Sequence, residues 1–131
     1  MKAIPVPPED LDGWFARVLP FLKELASDGA WNVDDFMQQL RCKERQLWVA
    51  YDGEVKAVML TAIGTDHHKT CRITHCTGKH LQEWLDLLPV VAGWAKEMGC
   101  ERLEPVARRG WERVLKKFGF RATHVVLELR L

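Results

Sequence analysis

The sequence predicts a mixed α/β domain with one central sheet and helices on both of its faces. Apolar residues recur at helical spacing in the first third of the chain and again after residue 80, whereas strand patterns occupy the middle. One central strand is apolar on both faces, which is typical of a sheet covered on both sides. The length of 131 residues fits a single domain over residues 1–131.

The first forty residues predict an edge strand and two helices. Residues 3–6 contain a proline, which confines a strand to the edge of a sheet because proline has no N–H to donate. Pro8 and the acidic residues after it favour the first turn of a helix, which ends near residues 27–29. Asn32 or Asp34 can cap a second helix.

The middle of the chain predicts three strands. Residues 46–51 and 55–63 flank the dipeptide Asp52-Gly53, a pattern that indicates a β-hairpin with a type I′ turn. After a polar turn, residues 70–76 predict the next strand.

The last fifty residues alternate between helix and strand. We expect a helix over 80–98, a strand over 102–106, a helix over 110–118 and a closing strand over 125–131. The predicted order is therefore β-α-α-β-β-β-α-β-α-β.

Composition excludes several classes of protein. A formal charge of +1 gives no general attraction to nucleic acid or to an anionic membrane. No apolar run reaches the ~20 residues that span a bilayer, and the first residues lack the apolar core of a signal peptide. The four cysteines form no CxxC pair, so we expect reduced thiols and a cytoplasmic protein.

The stretch "RITHCTGKHLQEWL", residues 72–85, is the main candidate for a functional site. A predicted strand meets a predicted helix at Gly78, beside His75, Lys79 and His80. Free N–H groups at a helix N-terminus bind phosphate, so this turn is a candidate anion site. A plain strand-to-helix turn in which Thr77 caps the helix explains the same residues and is the simpler interpretation.

A zinc site and a nucleic-acid surface are the alternatives. The potential zinc ligands are His67, His68, Cys71, His75, Cys76 and His80. Cys71 and His75 would share a strand face about 13 Å apart at ~3.3 Å per residue, whereas ligands of one zinc lie within about 4 Å of each other, so we predict no metal site. The basic residues Arg108, Arg109, Arg113, Lys116, Lys117 and Arg121 could contact the phosphates of a ligand or of nucleic acid, and a solvated helix face is the simpler interpretation.

Two longer stretches resemble the GNAT (Gcn5-related N-acetyltransferase) superfamily. "QLWVAYDGEVKAVMLTAI" is similar to its central hairpin, and "WAKEMGCERLEPVARRGWERVLKKFGFRATHVVLEL" is similar to its closing helix-strand-helix-strand. The resemblance implies a V-shaped gap between the strands near 57–63 and 72–76, where acetyl-CoA would lie. The contacts that it implies are Ile73, His75, Thr77, Gly78, Lys79 and His80.

The sequence departs from the family pattern at several positions. The phosphate-binding loop has one glycine and is shorter than usual. Leu115 stands where the family often has a tyrosine that protonates the departing thiolate, and Arg108 stands where it has asparagine. The chain's single tyrosine is Tyr51, on the hairpin. His75 is the candidate catalytic residue, as the base that would remove a proton from the amine.

These departures favour a non-catalytic protein. The Thr-Gly-Lys turn followed by a Trp- and Leu-bearing helix resembles GNAT-like proteins of tailed bacteriophages, which implies virion assembly or an interaction module. Its partners would be phage structural proteins or a second copy, in the host cytoplasm or the virion. The alternative is an acetyl-CoA-dependent N-acyltransferase of an unknown amine. We expect CoA to bind around the millimolar level, about −4 kcal/mol, with no detectable acetyl transfer.

Overall fold

A computed structural model describes residues 1–29, 31–77, 84–105, 109–123 and 127–131. Its centre is a five-stranded sheet in the order β1-β2-β3-β4-β5. The strands are β1 (Lys2–Val6), β2 (Gln46–Tyr51), β3 (Val55–Thr65), β4 (Lys69–Cys76) and β5 (Arg102–Pro105). The helices are α1 (Leu11–Leu25), α2 (Val33–Arg41), α3 (Leu88–Glu97) and α4 (Arg109–Lys116).

The first four strands pair antiparallel with their neighbours, and β5 pairs parallel to β4. A parallel pair needs a long crossover between its strands, and the segment that contains α3 provides it. β1 lies at the edge of the sheet, as the proline in its sequence predicts.

Two apolar clusters cover the two faces of the sheet. The first contains residues of α1 and α2 together with sheet residues; its members include Leu22, Phe36, Leu40, Val49, Val58 and Leu60. The second contains residues of α3 and α4 with the opposite face; its members include Trp48, Met59, Ile73, Trp84, Val91 and Leu115. The prediction of helices on both faces is confirmed. In the described ranges, no helix is long and apolar enough to cross a membrane.

Helix α2 begins with a capping box. The Asp35 N–H donates to Asn32 Oδ1 over 2.8 Å, and the Asn32 N–H donates back to Asp35 Oδ2 over 3.4 Å. Each bond satisfies a backbone N–H that has no partner inside the helix. Asn32, one of the two predicted caps, is therefore the residue that starts the helix.

The hairpin between β2 and β3 forms, but its turn differs from the predicted one. A type I′ turn needs positive φ at both central residues. Gly53 has a φ of 72°, whereas Asp52 is not among the residues with positive φ. The Asp52 N–H donates to the Glu54 carbonyl over 3.0 Å, and the register shifts between Ala50 and Tyr51. The type I′ prediction is wrong because the connection has three residues and a bulge.

The predicted helix over 80–98 is interrupted within the described residues. Trp84 and Leu85 are helical, a turn follows at residues 86–87, and α3 begins at Leu88. Pro89 lies in its first turn, where the missing N–H would have had no intrahelical partner. Residues 78–83 lie outside the described residues.

The predicted closing strand is absent from residues 127–131, the part of it that the structure describes. Leu127 is 89% exposed and Leu129 is 82% exposed. Alternating leucines favour a strand only where a neighbouring strand and a buried face are available, and these residues have neither. The prediction of a final strand is wrong for this segment.

We expect Asn32→Ala to lower the free energy of unfolding by about 1 kcal/mol, because the Asp35 N–H loses its acceptor. Urea denaturation monitored by circular dichroism measures the change. Gln38→Ala, an exposed change in the same helix, is the control and should stay within about 0.5 kcal/mol of wild type. Equal effects of the two substitutions would contradict a stabilising role of the capping box.

Candidate functional site

Strand β4 contains one extra residue where it pairs with β3. Leu60 pairs with His75 and Thr61 pairs with Ile73, so Thr74 has no opposite residue. A bulge of this kind bends the strand and redirects the side chains that follow it. Residues 73 and 75, which would share a face in a regular strand, therefore point to opposite faces of the sheet.

The surroundings of the two side chains confirm their opposite directions. His75 is half-buried beside α2, with its ring 5.1 Å from the ring of Phe36 at an interplanar angle of 72°. Ile73 is buried in the cluster formed with α3 and α4. Cys71 lies two residues before Ile73 and interacts with Thr61, which accepts a hydrogen bond from Trp48 on that same face. The prediction that Cys71 and His75 share a face is wrong because of the bulge.

Among the described residues, β5 pairs with the first half of β4, and residues 106–108 lie outside the described residues. The pairing of the two strands runs from Thr70 opposite Arg102 to Ile73 opposite Pro105, and β4 continues to Cys76. The predicted gap between β3 and β4 is wrong, since these strands pair along their whole shared length. The bulge at Thr74 directly follows Ile73, which pairs with the last described residue of β5.

The polar groups of Thr77, just past β4, bond to described residues of the fold. Its N–H donates to the Val58 carbonyl, and its hydroxyl accepts from the Val58 N–H, each over 2.9 Å. Its carbonyl accepts from Trp84 Nε1 over 2.9 Å. The hydroxyl thus bonds to β3, and the Trp84 bond joins the two ends of the segment 78–83. The predicted ligands Gly78, Lys79 and His80 lie outside the described residues.

Arg45 is a site residue that sequence analysis missed. Its Nε donates to Gln39 Oε1 over 2.6 Å, its Nη1 donates to Thr74 Oγ1, and its guanidinium lies 5.2 Å from the ring of Trp31. Burial lowers the pKa of Arg45, and Glu44 opposes this effect. No local pattern links residue 45 to residue 74, so only the fold brings them together.

The thiols of Cys71 and Cys76, both in β4, are protonated at neutral pH. Burial, and secondarily Cys100, raises the pKa of Cys71 to about 11, and burial raises the pKa of Cys76 to about 12. Neither thiol supplies a nucleophile, since the reactive form is the thiolate. Among the described residues no group of three His, Cys, Asp or Glu side chains is arranged to hold a metal ion.

The position expected for a proton donor belongs to the apolar core. Leu115 is 4% exposed and lies in the same cluster as Trp84 and Ile73. Tyr51, the chain's single tyrosine, packs its ring 5.7 Å from that of Trp14 on the α1 side. The hydroxyl that the GNAT resemblance implies therefore has no counterpart at residue 115.

A groove lies between α3, β5 and the end of α4. Its volume is about 330 Å³, and its lining is mostly apolar: Leu88, Pro89, Ala92, Leu103, Phe118, Gly119 and Phe120. Phe118 is 47% exposed at its rim.

No protein-family model matches the sequence, and no curated protein does. Solved structures match over nearly the whole chain. A probable acetyltransferase superposes with a TM-score of 0.75 at 16% identity, over 100% of this chain and 97% of that one. The chain has the GNAT fold. A ribosomal-protein-alanine N-acetyltransferase from Brucella melitensis biovar Abortus 2308 gives 0.71 at 17% identity, over 100% of both chains.

A third match was determined with a ligand. It is a predicted acetyltransferase with acetyl-CoA from Clostridium acetobutylicum, with a TM-score of 0.67 at 17% identity, over 98% of this chain and 95% of that one. The superpositions establish the shared GNAT fold. At such low sequence identity, activity has to be argued from the residues of the site.

We expect Thr77→Val to lower the free energy of unfolding by about 1–3 kcal/mol, because the buried Val58 N–H loses its acceptor. Thr65→Val, the same substitution at an exposed position of β3, is the matched control. Urea denaturation of both variants measures the difference. If Thr77→Val is as mild as the control, the hydroxyl does not hold this end of β4.

Cys71 and Cys76 should react with iodoacetamide at pH 8 about a hundredfold more slowly than exposed Cys42, because their raised pKa values leave little thiolate. Peptide mass spectrometry over a time course measures the rates. A folded pKa above the unfolded value of about 8.5 also means that this contribution to stability is lost as pH rises from that value toward 11. Labelling of Cys76 as fast as Cys42 in the folded protein would contradict the assignment.

Proposed function

We propose that this chain uses the GNAT fold to bind a partner protein and does not acetylate an amine. The observation that supports this most directly is Leu115, which fills the expected place of the proton donor with a buried apolar side chain. Loss of general acid catalysis typically costs 10²–10⁴-fold in rate. Burial raises the pKa of the Cys71 and Cys76 thiols, so neither supplies a thiolate nucleophile for a covalent route.

Exposed apolar surface supports an interaction role. Leu127, Leu129 and Leu131 are almost fully exposed, and the apolar groove beside Phe118 opens at the surface. Apolar patches of this kind often mark protein–protein contacts. The resemblance of residues 72–85 to GNAT-like proteins of tailed phages suggests that the contact serves virion assembly, with a phage structural protein or a second copy as the partner.

A second candidate is an acetyl-CoA-dependent N-acyltransferase of an unidentified amine. It is supported by the matching structure that contains acetyl-CoA. In this candidate the cofactor contacts the end of β4 and the residues after Thr77. His75 then acts as the base that removes the proton of the amine.

Titration calorimetry with acetyl-CoA and a transfer assay on a panel of amines separate the two candidates. We expect a dissociation constant around millimolar, since two lost phosphate hydrogen bonds of about 1.5–3 kcal/mol each weaken a micromolar site at least a hundredfold. We expect no transfer above the uncatalysed background. Micromolar binding that Gly78→Val abolishes, or turnover that His75→Gln abolishes, overturns the proposal and establishes the acyltransferase.

Self-association tests the interaction role with the purified protein. If residues 127–131 form part of the contact, the double variant Leu127→Ser, Leu129→Ser should weaken any dimer at least tenfold in sedimentation equilibrium. Val90→Ser, another exposed apolar change, is the control. A dimer whose affinity the double variant leaves unchanged excludes this segment from the contact.

A further inference from the structure

Strand β5 lies at an edge of the sheet. The strand order ends at β5, and among the described residues only β4 pairs with it. A strand at a sheet edge presents backbone N–H and C=O groups that can pair with a further strand. An extended peptide can therefore add to β5, and its side chains would then lie beside those of β5.

The side chains of β5 alternate between an apolar face and a charged face. Leu103 belongs to the cluster formed with α3 and α4, and it lines the apolar groove together with Phe118 and Phe120. Arg102 and Glu104 flank Leu103 and point to the opposite face, because side chains alternate along a strand. A peptide that suits this edge has apolar residues at every second position and charged residues between them.

The C-terminal segment, residues 127–131, has this pattern. Apolar and charged side chains alternate along it: Leu127, Glu128, Leu129, Arg130 and Leu131. The three leucines are almost fully exposed, so they do not occupy the apolar groove of their own chain. Their exposure to water makes burial against an apolar surface favourable.

Charge complementarity favours a parallel alignment of this segment with β5. Parallel to β5, the segment can place Glu128 beside Arg102 and Arg130 beside Glu104, with its leucines on the face of Leu103. Opposite charges on neighbouring strands stabilise their pairing, whereas like charges destabilise it. The antiparallel alignment that keeps the leucines at the same level would place Arg130 beside Arg102 and Glu128 beside Glu104. Both of those pairs are repulsive.

A second copy of the chain offers the complementary surface. Among the described residues, the C-terminal segment pairs with no strand of its own chain, and the outer edge of β5 has no strand beside it. Two copies related by a twofold axis can exchange their C-terminal segments. The exchange buries the leucines of both copies and gives both β5 edges a partner strand.

We propose that two copies of this chain form a dimer in which the C-terminal segment of each copy adds as a parallel strand to β5 of the other. The leucines of the segment then lie on the side of the apolar groove, and its charges pair with Arg102 and Glu104. This inference rests on the proposed interaction role, since it names a second copy as the partner and β5 as the contact surface.

Sedimentation equilibrium of the wild-type chain and of two charge-reversal variants tests the exchange. We expect the wild type to dimerise reversibly. Arg102→Glu places two glutamates side by side in the dimer, and Glu128→Arg places two arginines side by side. Each variant alone should therefore dimerise about tenfold more weakly. In an equimolar mixture the two reversals complement each other at both contacts, so a heterodimer about as tight as the wild-type dimer should form.

A second pair of variants tests the direction of the added strand. Glu104→Arg and Arg130→Glu should each weaken the dimer, and their mixture should restore it, because the parallel alignment brings residues 104 and 130 together. An antiparallel alignment with Glu128 beside Arg102 would place Arg130 beside residue 100 instead. Complementation by the first pair without complementation by the second overturns the parallel strand.

The control is Arg41→Glu, the same reversal at an exposed arginine of α2, which should leave the dimer unchanged. Circular dichroism checks that each variant is folded. A wild type that stays monomeric at every concentration its solubility allows overturns the proposal. A dimer that no reversal weakens also overturns it. So does a mixture that associates no more tightly than its components, the result expected if the segment docks on β5 of its own chain.

These outcomes separate the dimer from the proposed function. An inactive, monomeric chain overturns the strand exchange alone and leaves a different protein as the partner. Acetyl transfer by a chain whose variants complement each other overturns the proposed function alone.

Discussion

One extra residue in β4 sets the geometry of the site. Because Thr74 is the extra residue, Ile73 and His75 take consecutive positions of the pleat and point to opposite faces of the sheet. Because of the bulge, Thr74 has no opposite residue on β3, and its hydroxyl does not occupy a regular position on a face of the sheet. That hydroxyl is the group through which α2, Arg45 and His75 are connected. The contacts that Arg45 and His75 make with Thr74 therefore lie at the bulge.

The bulge also explains how a partly buried arginine is tolerated. A buried cation is costly unless its donors are satisfied, and Arg45 bonds to Gln39 on one side and to Thr74 on the other. Trp31 supplies an aromatic face for the guanidinium, an arrangement that suits arginine better than lysine. A regular β4 would place no hydroxyl at this point, and Arg45 would lose one of its two neutral acceptors.

Local patterns predicted the elements, because caps, prolines and apolar periodicity act over a few residues. Asn32 and the edge strand β1 are cases of this kind. The bulge was not predicted because the sequence of β4 alone has the pattern of a regular strand. A bulge becomes visible only in the pairing of β4 with β3. The error about the shared face of Cys71 and His75 follows from that omission. Arg45 was missed for the same reason, since its partners are distant in sequence. The gap between β3 and β4 was an implication of the family resemblance, and the continuous pairing of these strands contradicts it.

A leucine in place of a tyrosine at residue 115 also affects the stability of the core. A buried tyrosine needs a partner for its hydroxyl, or the protein bears the cost of an unpaired polar group. Leucine needs no partner, and burying its side chain contributes about 1.5–3 kcal/mol. With Leu115 packed beside Trp84, a position that serves chemistry in the resembling family adds to the stability of this core. Under the proposed binding role the exchange costs no activity, because binding needs no proton donor at residue 115.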